Sequence, residues 1–445
     1  MSYQSFFKDK RVTVLGLGLL GRGVGVVAFI AEQGAQVLVT DKKTEGELAE
    51  SVAKLRALPN VTFVLGEHRI EDFTDTDMVI KAAGVPLNSP EITAAKEAGV
   101  PVYMSTALAA QFAKENGATI VGVTGTRGKS TVSHLIRHIL KGAGKSVHLG
   151  GNVRGVSTLA MLPEIKSGDV LVLELDSWQL QGFGDLKISP QISVFTNLQP
   201  DHQNYYPDME LYFQDKANIF RNQKEGDVLV CGKEIAAKII AAHPPVTPQV
   251  PDALSEVALK IVGEHNRENA SLAAAAVRAL GVSEEVIREG LESFEPVEGR
   301  LQMVREVNLP RVAGGKAGGV KIYNDNNATT PDATIAAIKA VSDGSKNIIL
   351  IMGGADKGLD MSTLLYEVAK VCKRVILLPG TGTDRVVPLM QDYSVYDDMK
   401  TAVHEAVTIA TPGDTILFSP AFASFGLFKN EYDRNDQFLA AVNSL

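Results

Sequence analysis

Residues 122–131 read GVTGTRGKST. The apolar, β-branched run 118–123 precedes them, and Val132, Leu135, Ile136 and Leu140 follow at helical spacing. A strand that enters a glycine loop and opens a helix gathers backbone N–H groups and the positive helix end around one point, which suits phosphate. Gly125 and Gly128 let the backbone approach phosphate oxygens, Lys129 reaches the transferable phosphate, and Ser130 or Thr131 offers a hydroxyl to Mg²⁺. The strict Walker spacing would put glycine at Val123, so the loop is a variant with its glycine at Gly125. A glycine turn with a solvated lysine is the alternative, and the strand before and helix after weigh against it. The expectation is an ATP site built from Gly125, Thr126, Arg127, Gly128, Lys129, Ser130 and Thr131.

The chain has 445 residues, too many for one ordinary core and enough for two or three domains. Its net charge of −8 argues against a general nucleic-acid binder, which gains affinity from excess Lys and Arg. Two cysteines, Cys231 and Cys372, stand apart without ligand spacing, so neither a disulfide framework nor a zinc ribbon is indicated. Lys8, Lys10 and Arg11 before the apolar run 12–20 superficially resemble a signal peptide, but Gly16, Gly18 and Gly21 favour a strand and turn. No apolar run is long enough to span a bilayer, and a cytoplasmic protein is expected.

Outward from the loop, short β-rich runs alternate with helical patterns, which predicts an α/β fold with parallel sheets. The expected domains are 1–111, Rossmann-like; 112–298, a central P-loop ATPase-like sheet; and 299–445, Rossmann-like again. In the first, Gly16, Gly18 and Gly21 form GxGxxG and Asp41 follows the second strand. On local chemistry this fits a nucleotide-sugar and NAD equally well. Lys42 and Lys43 stand where a base or ribose edge could be read, or are simply solvated.

In the second domain, Glu174 closes the apolar strand VLVLE. A carboxylate there needs a cation or hydrogen-bond partner, and a phosphate loop requires a metal nearby, so Mg²⁺ is favoured over a satisfied core acid. His202 after Asp201 is either a metal ligand or a turn residue. Lys216 sits among Tyr212, Phe213, Ile219 and Phe220 at helical spacing, and so shares an apolar face. Burial would lower its pKa and give a nucleophilic amine able to form a carbamate with CO₂; a lysine snorkelling to water is the alternative, and the residues alone favour it. Asn266 and Asn269, one turn apart, could read an adenine edge or be helix-end polar groups. Residues 314–320, GGKAGGV, read as a hairpin or loop.

The motifs TGTRGKST, ELDSWQL, NLQPDHQNYY, GEHNRENA, EGR, NDNNATTPDAT, GGADKG and SPAFASF together resemble, in order, those of the Mur ligases, ATP-dependent amide-forming enzymes of peptidoglycan precursor synthesis. The GLGLLGRG start and the C-terminal SPAFASFGLF look most like the branch that joins D-glutamate to UDP-N-acetylmuramoyl-L-alanine. The resemblance implies that ATP phosphorylates the muramoyl-alanine carboxylate and that the amine of glutamate attacks the acyl phosphate. It further implies that Lys129 holds the β/γ phosphates, that Ser130 and Glu174 serve one Mg²⁺, and that His202 and a carbamylated Lys216 serve a second. Asn266, Asn269, Arg300 and Asp325 would embrace ATP; Gly18, Leu19, Leu20, Asp41, Lys42, Lys43, Asn152 and Gln179 would meet the UDP-substrate; Thr329, Lys357, Ser424 and Phe425 would hold the amino acid. A monomer without membrane insertion is expected.

Five departures from the family pattern stand out. Arg127 replaces a common asparagine, Lys43 an arginine, and Asp176 the first serine of ELSS; Asn327 takes a lysine position, and Glu431 falls near an expected aromatic. Those at Asp176, Asn327 and Glu431 bear on which amino acid is added. A related ligase adding another amino acid, a folylpolyglutamate synthase-like enzyme, a nicotinamide dehydrogenase and a non-catalytic nucleotide-sugar binder are the rival readings. A dehydrogenase would leave the phosphate loop, Glu174 and Lys216 without a role, and a folylpolyglutamate synthase would lack the first glycine turn.

Overall fold

The apolar runs MVIK and VLVLE are buried at every position, as a parallel sheet between two layers of helices requires. The computed structural model describes residues 2–19, 21–201, 205–254, 256–308 and 318–445. Three sheets form in chain order. The first contains β1 (Arg11–Leu15), β2 (Gln36–Asp41), β3 (Val61–Leu65), β4 (Met78–Lys81) and β5 (Val102–Tyr103), all parallel in the order β3-β2-β1-β4-β5. The second contains β6 (Thr119–Thr124), β7 (Val147–Gly151), β8 (Val170–Glu174), β9 (Ile192–Phe195), β10 (Val228–Cys231) and β11 (Pro248–Gln249), parallel in the order β11-β10-β9-β6-β8-β7.

The third contains β12 (Gln302–Asn308), β13 (Gly319–Asn324), β14 (Ile348–Gly353), β15 (Cys372–Leu378), β16 (Tyr393–Val395) and β17 (Thr415–Phe418), in the order β12-β13-β17-β14-β15-β16. Its edge strand β12 runs antiparallel to β13, and the other pairs are parallel. Residues 314–317 of the expected hairpin lie outside the described residues.

The chain divides into two compact units, Met1–Leu254 with Asn269–Leu291, and Ser255–Glu268 with Glu292–Leu445. In the first unit one apolar cluster runs through both sheets, from Val12, Val37 and Ile80 to Leu171, Phe183 and Phe195. The helix Ser105–Glu115, with six of its Ala, Leu and Phe side chains buried, contributes to that cluster. In the second unit the strand β14 alternates between two clusters, Ile348, Leu350 and Met352 facing one and Ile349 and Ile351 the other. That alternation is the period of two expected of a strand covered on both faces. Among the described residues no helix is long and apolar enough to cross a membrane.

Candidate functional site

The strand β6 leads into the loop 125–128, and the helix Lys129–Gly142 starts directly after it with Gly128 in the left-handed region, φ 85°. First-turn N–H groups have no acceptor within their own helix, so this start carries donors and the positive dipole end. The segment after β9 braces the loop. Thr126 N donates to Asn197 O (3.0 Å), Arg127 N to Asn197 Oδ1 (2.9 Å), and Thr196 Oγ1 to Arg127 O. A Cβ at Gly125 would stand 1.9 Å from Thr196 Oγ1, and one at Gly128 2.2 Å from Asn269 Oδ1. The two glycines let the loop pack this tightly, and the cradle with Lys129 at its end suits a nucleoside triphosphate.

Gly125→Ala is therefore expected to cost about 1–3 kcal/mol of stability through overpacking and to abolish ATP binding. Thermal unfolding and nucleotide titration check this, and a variant that binds ATP normally would contradict it.

Glu174 ends β8 in register with Val123 of β6, and is buried. It lies on the strand beside the one that enters the glycine loop. Among the described residues no group of three or more His, Cys, Asp and Glu side chains could hold a metal ion. His202 lies outside the described residues. Arg127 lies 3.7 Å from Asp201, so the cation in the asparagine position has a local counter-charge. Asp176 has a structural task as N-cap of the helix Ser177–Asp185, where it and Gln179 form a reciprocal capping box.

Lys216 is 1% exposed, and its ammonium does not snorkel. Nζ donates to Gly125 O (2.9 Å) and Thr124 Oγ1 (3.4 Å) and lies over the Tyr212 ring. Lys129 Nζ also donates to Gly125 O, at 3.0 Å, so two amines share one carbonyl oxygen. Burial, with the Lys129 charge beside it, pushes the Lys216 pKa well down. The helix ends at Ala217, so Ile219 and Phe220 follow it rather than continue its face as the spacing had suggested, though both are buried.

At the carboxyl end of the first sheet a cavity of about 340 Å³ is lined by Gly16–Leu19, Arg22, Lys81, Asn152, Trp178 and Gln179, among others. Arg22 Nη1 donates to Asn152 Oδ1 (2.9 Å), and Gln179 Nε2 to Thr106 Oγ1 (3.1 Å). Asp41 works inside the glycine turn: Oδ2 accepts from Leu17 N (2.9 Å) and Gly18 N (3.2 Å), and Oδ1 from Lys43 N (2.9 Å). Leu19 is exposed, Leu20 lies outside the described residues, and Lys42 extends towards Glu91 at 3.7 Å.

In the second unit Asp325 Oδ1 accepts from Leu301 N (3.0 Å) and Oδ2 from Ser419 Oγ (3.0 Å), tying the EGR turn that carries Arg300 to the end of β17. Asn266 Nδ2 donates to Val262 O (2.8 Å). Lys357 Nζ donates to Thr329 Oγ1 (3.1 Å), Ser424 is buried, and Phe425 is 64% exposed.

Residues 10–104 match the family model of the Mur ligase MurD-like N-terminal domain, 123–248 that of the Mur ligase middle domain, and 299–422 that of the Mur ligase glutamate ligase domain. The chain belongs to the Mur ligase family. A relative from Roseiflexus sp. strain RS-1, named UDP-N-acetylmuramoylalanine--D-glutamate ligase, is 35% identical over 477 residues, covering 98% of each chain. The UDP-N-acetylmuramate-alanine ligase MurC of Thermotoga maritima shares the fold at TM-score 0.62 and 18% identity, over 98% of this chain and 100% of that one. The MurF ligase of the same organism, solved in complex with ADP, shares it at TM-score 0.61 and 15% identity, over 100% and 96%.

Two residues of this Mur ligase escaped the sequence reading. Arg434, fully buried in the helix Glu431–Asn443, donates to Asn326 Oδ1 (2.8 Å), Asn326 O (2.8 Å) and Phe422 O (3.1 Å). It fixes the turn next to Asn327, where the family lysine is missing; in sequence it looked like any helix-surface charge. The other is Lys81, whose signal was present: an ion ending an apolar strand, as at Glu174.

Proposed function

We propose that this chain is an ATP-dependent ligase that joins D-glutamate to UDP-N-acetylmuramoyl-L-alanine through an acyl phosphate. The observation that carries the reading is the meeting of the glycine loop, Lys129, Glu174 and buried Lys216 around the carboxyl ends of β6 and β8. The full-length likeness to a relative named for this reaction supports the choice of substrates.

A carboxylate is a poor acyl acceptor because its oxygen leaves badly. Attack of that oxygen on the γ-phosphorus of ATP releases ADP and gives an acyl phosphate. The amine of glutamate then adds to the acyl carbon, and the tetrahedral adduct loses phosphate and a proton to give the amide. Charge accumulates on phosphoryl oxygens in the first step, so positioning and neutralisation supply most of the catalysis. Lys129 exchanges its loop carbonyls for phosphate oxygens, and the first-turn amides hold the rest. Asn269 packs on Gly128 at the loop; Asn266, Arg300 and Asp325 would contact ATP.

Ser130 and Glu174 would hold one magnesium ion, and His202 with a carbamylated Lys216 a second; the metal would supply positive charge at the phosphoryl group. Asn152, Gln179 and the glycine turn hold the UDP-substrate; Thr329, Lys357, Ser424 and Phe425 hold glutamate. The protein works as a cytoplasmic monomer.

Phosphate release is expected only with ATP, UDP-N-acetylmuramoyl-L-alanine and D-glutamate together. Other amino acids, L-glutamate included, should be at least about 100-fold poorer in kcat/KM. An amino-acid panel in that assay decides the substrate, and equal turnover of a neutral amino acid would overturn the assignment to glutamate.

A further inference from the structure

The first sheet reverses its strand order between β1 and β4, and ligands of open α/β sheets gather beyond the carboxyl ends at such a point. The glycine turn follows β1, and Lys81 is the last residue of β4. Lys81 lines the cavity there, yet its side chain is 2% exposed. Its Nζ donates to Val85 O at 2.9 Å and to Ala82 O and Ala83 O at 3.5 Å each. One bond is therefore good and two are at the outer limit. Among the described residues all three acceptors are neutral carbonyls, and a buried ammonium without a counter-ion is costly.

Among the described residues no carboxylate supplies that counter-ion at contact distance. Asp176 and Asp185 bracket the helix Ser177–Asp185, Asp215 comes from the helix Met209–Ala217, and Lys96 from the helix Pro90–Glu97; these are the charges that act on Lys81. Asp176 is engaged as a helix cap, and Asp215 accepts from Gln181 Nε2 and Tyr206 OH, both at 2.8 Å. Across the cavity the other cation, Arg22, is engaged by Asn152. The turn amides at Leu17 and Gly18 are already taken by Asp41.

We propose that Lys81 is the buried counter-charge for the diphosphate of the nucleotide-sugar, exchanging its two long carbonyl contacts for phosphate oxygen. This rests on the reading of the cavity as the UDP-substrate site. Burial holds the free amine at a pKa of about 8, and an anion beside it raises that value. Below that pH the ammonium is already present; above it, binding must take up a proton, and affinity falls as pH rises.

The test is calorimetric titration of the full-length protein with UDP-N-acetylmuramoyl-L-alanine, whose diphosphate diester does not titrate in this range, in buffers of different ionisation heat. Proton uptake near zero at pH 7 and roughly 0.7 per ligand at pH 8.5, with affinity about fourfold weaker, is expected. Lys81→Met should bind at least about tenfold more weakly at pH 7 and lose the pH dependence. Its affinity for uridine, which lacks the diphosphate, should stay at the wild-type value, whereas a purely structural lysine would weaken both ligands. Wild-type binding without proton uptake at pH 8.5, a measurement that needs no variant, would overturn the proposal, as would unchanged affinity in Lys81→Met. Wild-type protein that binds no UDP-substrate at all would instead overturn the reading of the cavity.

Discussion

Lys129→Ala is expected to lower ATP-dependent phosphate release at least about a thousandfold, the scale on which a cation at a transferring phosphoryl group acts. Binding of UDP-N-acetylmuramoyl-L-alanine should stay within about twofold, because distant sites behave independently. Lys129 does not line the cavity at the first sheet, and its Nζ is held by Gly125 O and Thr126 O, both at 3.0 Å. The ammonium thus folds back over the loop carbonyls. Alanine removes the cation while keeping helix propensity, so the loop and the helix Lys129–Gly142 should survive. Phosphate release and calorimetry with the UDP-substrate give the two readouts. A variant that lost both would place Lys129 in folding rather than phosphoryl transfer, and one that kept turnover would remove the loop from the chemistry.

The same loop explains why much of the architecture could be read from the sequence. Continuous apolar runs ending in glycine or polar residues, alternating with helical periods, leave few arrangements other than parallel sheets with sites at their carboxyl ends. Glu174 drew attention because an acid ending VLVLE needs a cation or a hydrogen-bond partner, a satisfied core acid being the alternative. Lys81 ends MVIK by the same logic, but which strands flank it depends on the strand order β3-β2-β1-β4-β5, and order is not written in local spacing. Asp41 was expected at the UDP-substrate and Asp176 stood out as a departure from the family serine; the oxygens of both accept backbone amides, of a turn and of a helix start. Short acids beside glycine or at helix ends serve caps and ligands alike, and only geometry separates the two uses. Arg434 was illegible because its acceptors, Asn326 and Phe422, lie far away in the chain.

Lys216→Ala is expected to be inactive in ligation and partly restored by millimolar formate or acetate. The ground is the crowding of two amines on one oxygen: Lys216 Nζ and Lys129 Nζ lie 2.9 and 3.0 Å from Gly125 O. Two ammonium groups there repel, and burial disfavours the charged form of Lys216 further. A depressed pKa leaves the neutral, nucleophilic amine more populated than in an ordinary lysine. Attack of its lone pair on CO₂ forms an N–C bond and releases one proton, leaving a carbamate. That reverses the local sign: repulsion from Lys129 becomes attraction, and two oxygens become available to a cation. The side chain has no exit to water through which it could escape this environment, being 1% exposed. Carbon-13 NMR under labelled CO₂ should therefore give a carbamate signal in the wild type that is missing in Lys216→Ala. Activity should fall in CO₂-depleted buffer, fall again as acid protonates the amine, and return with bicarbonate. Full activity in Lys216→Ala, or full wild-type activity with no carbamate signal, would leave the buried amine as a brace for the glycine loop and nothing more.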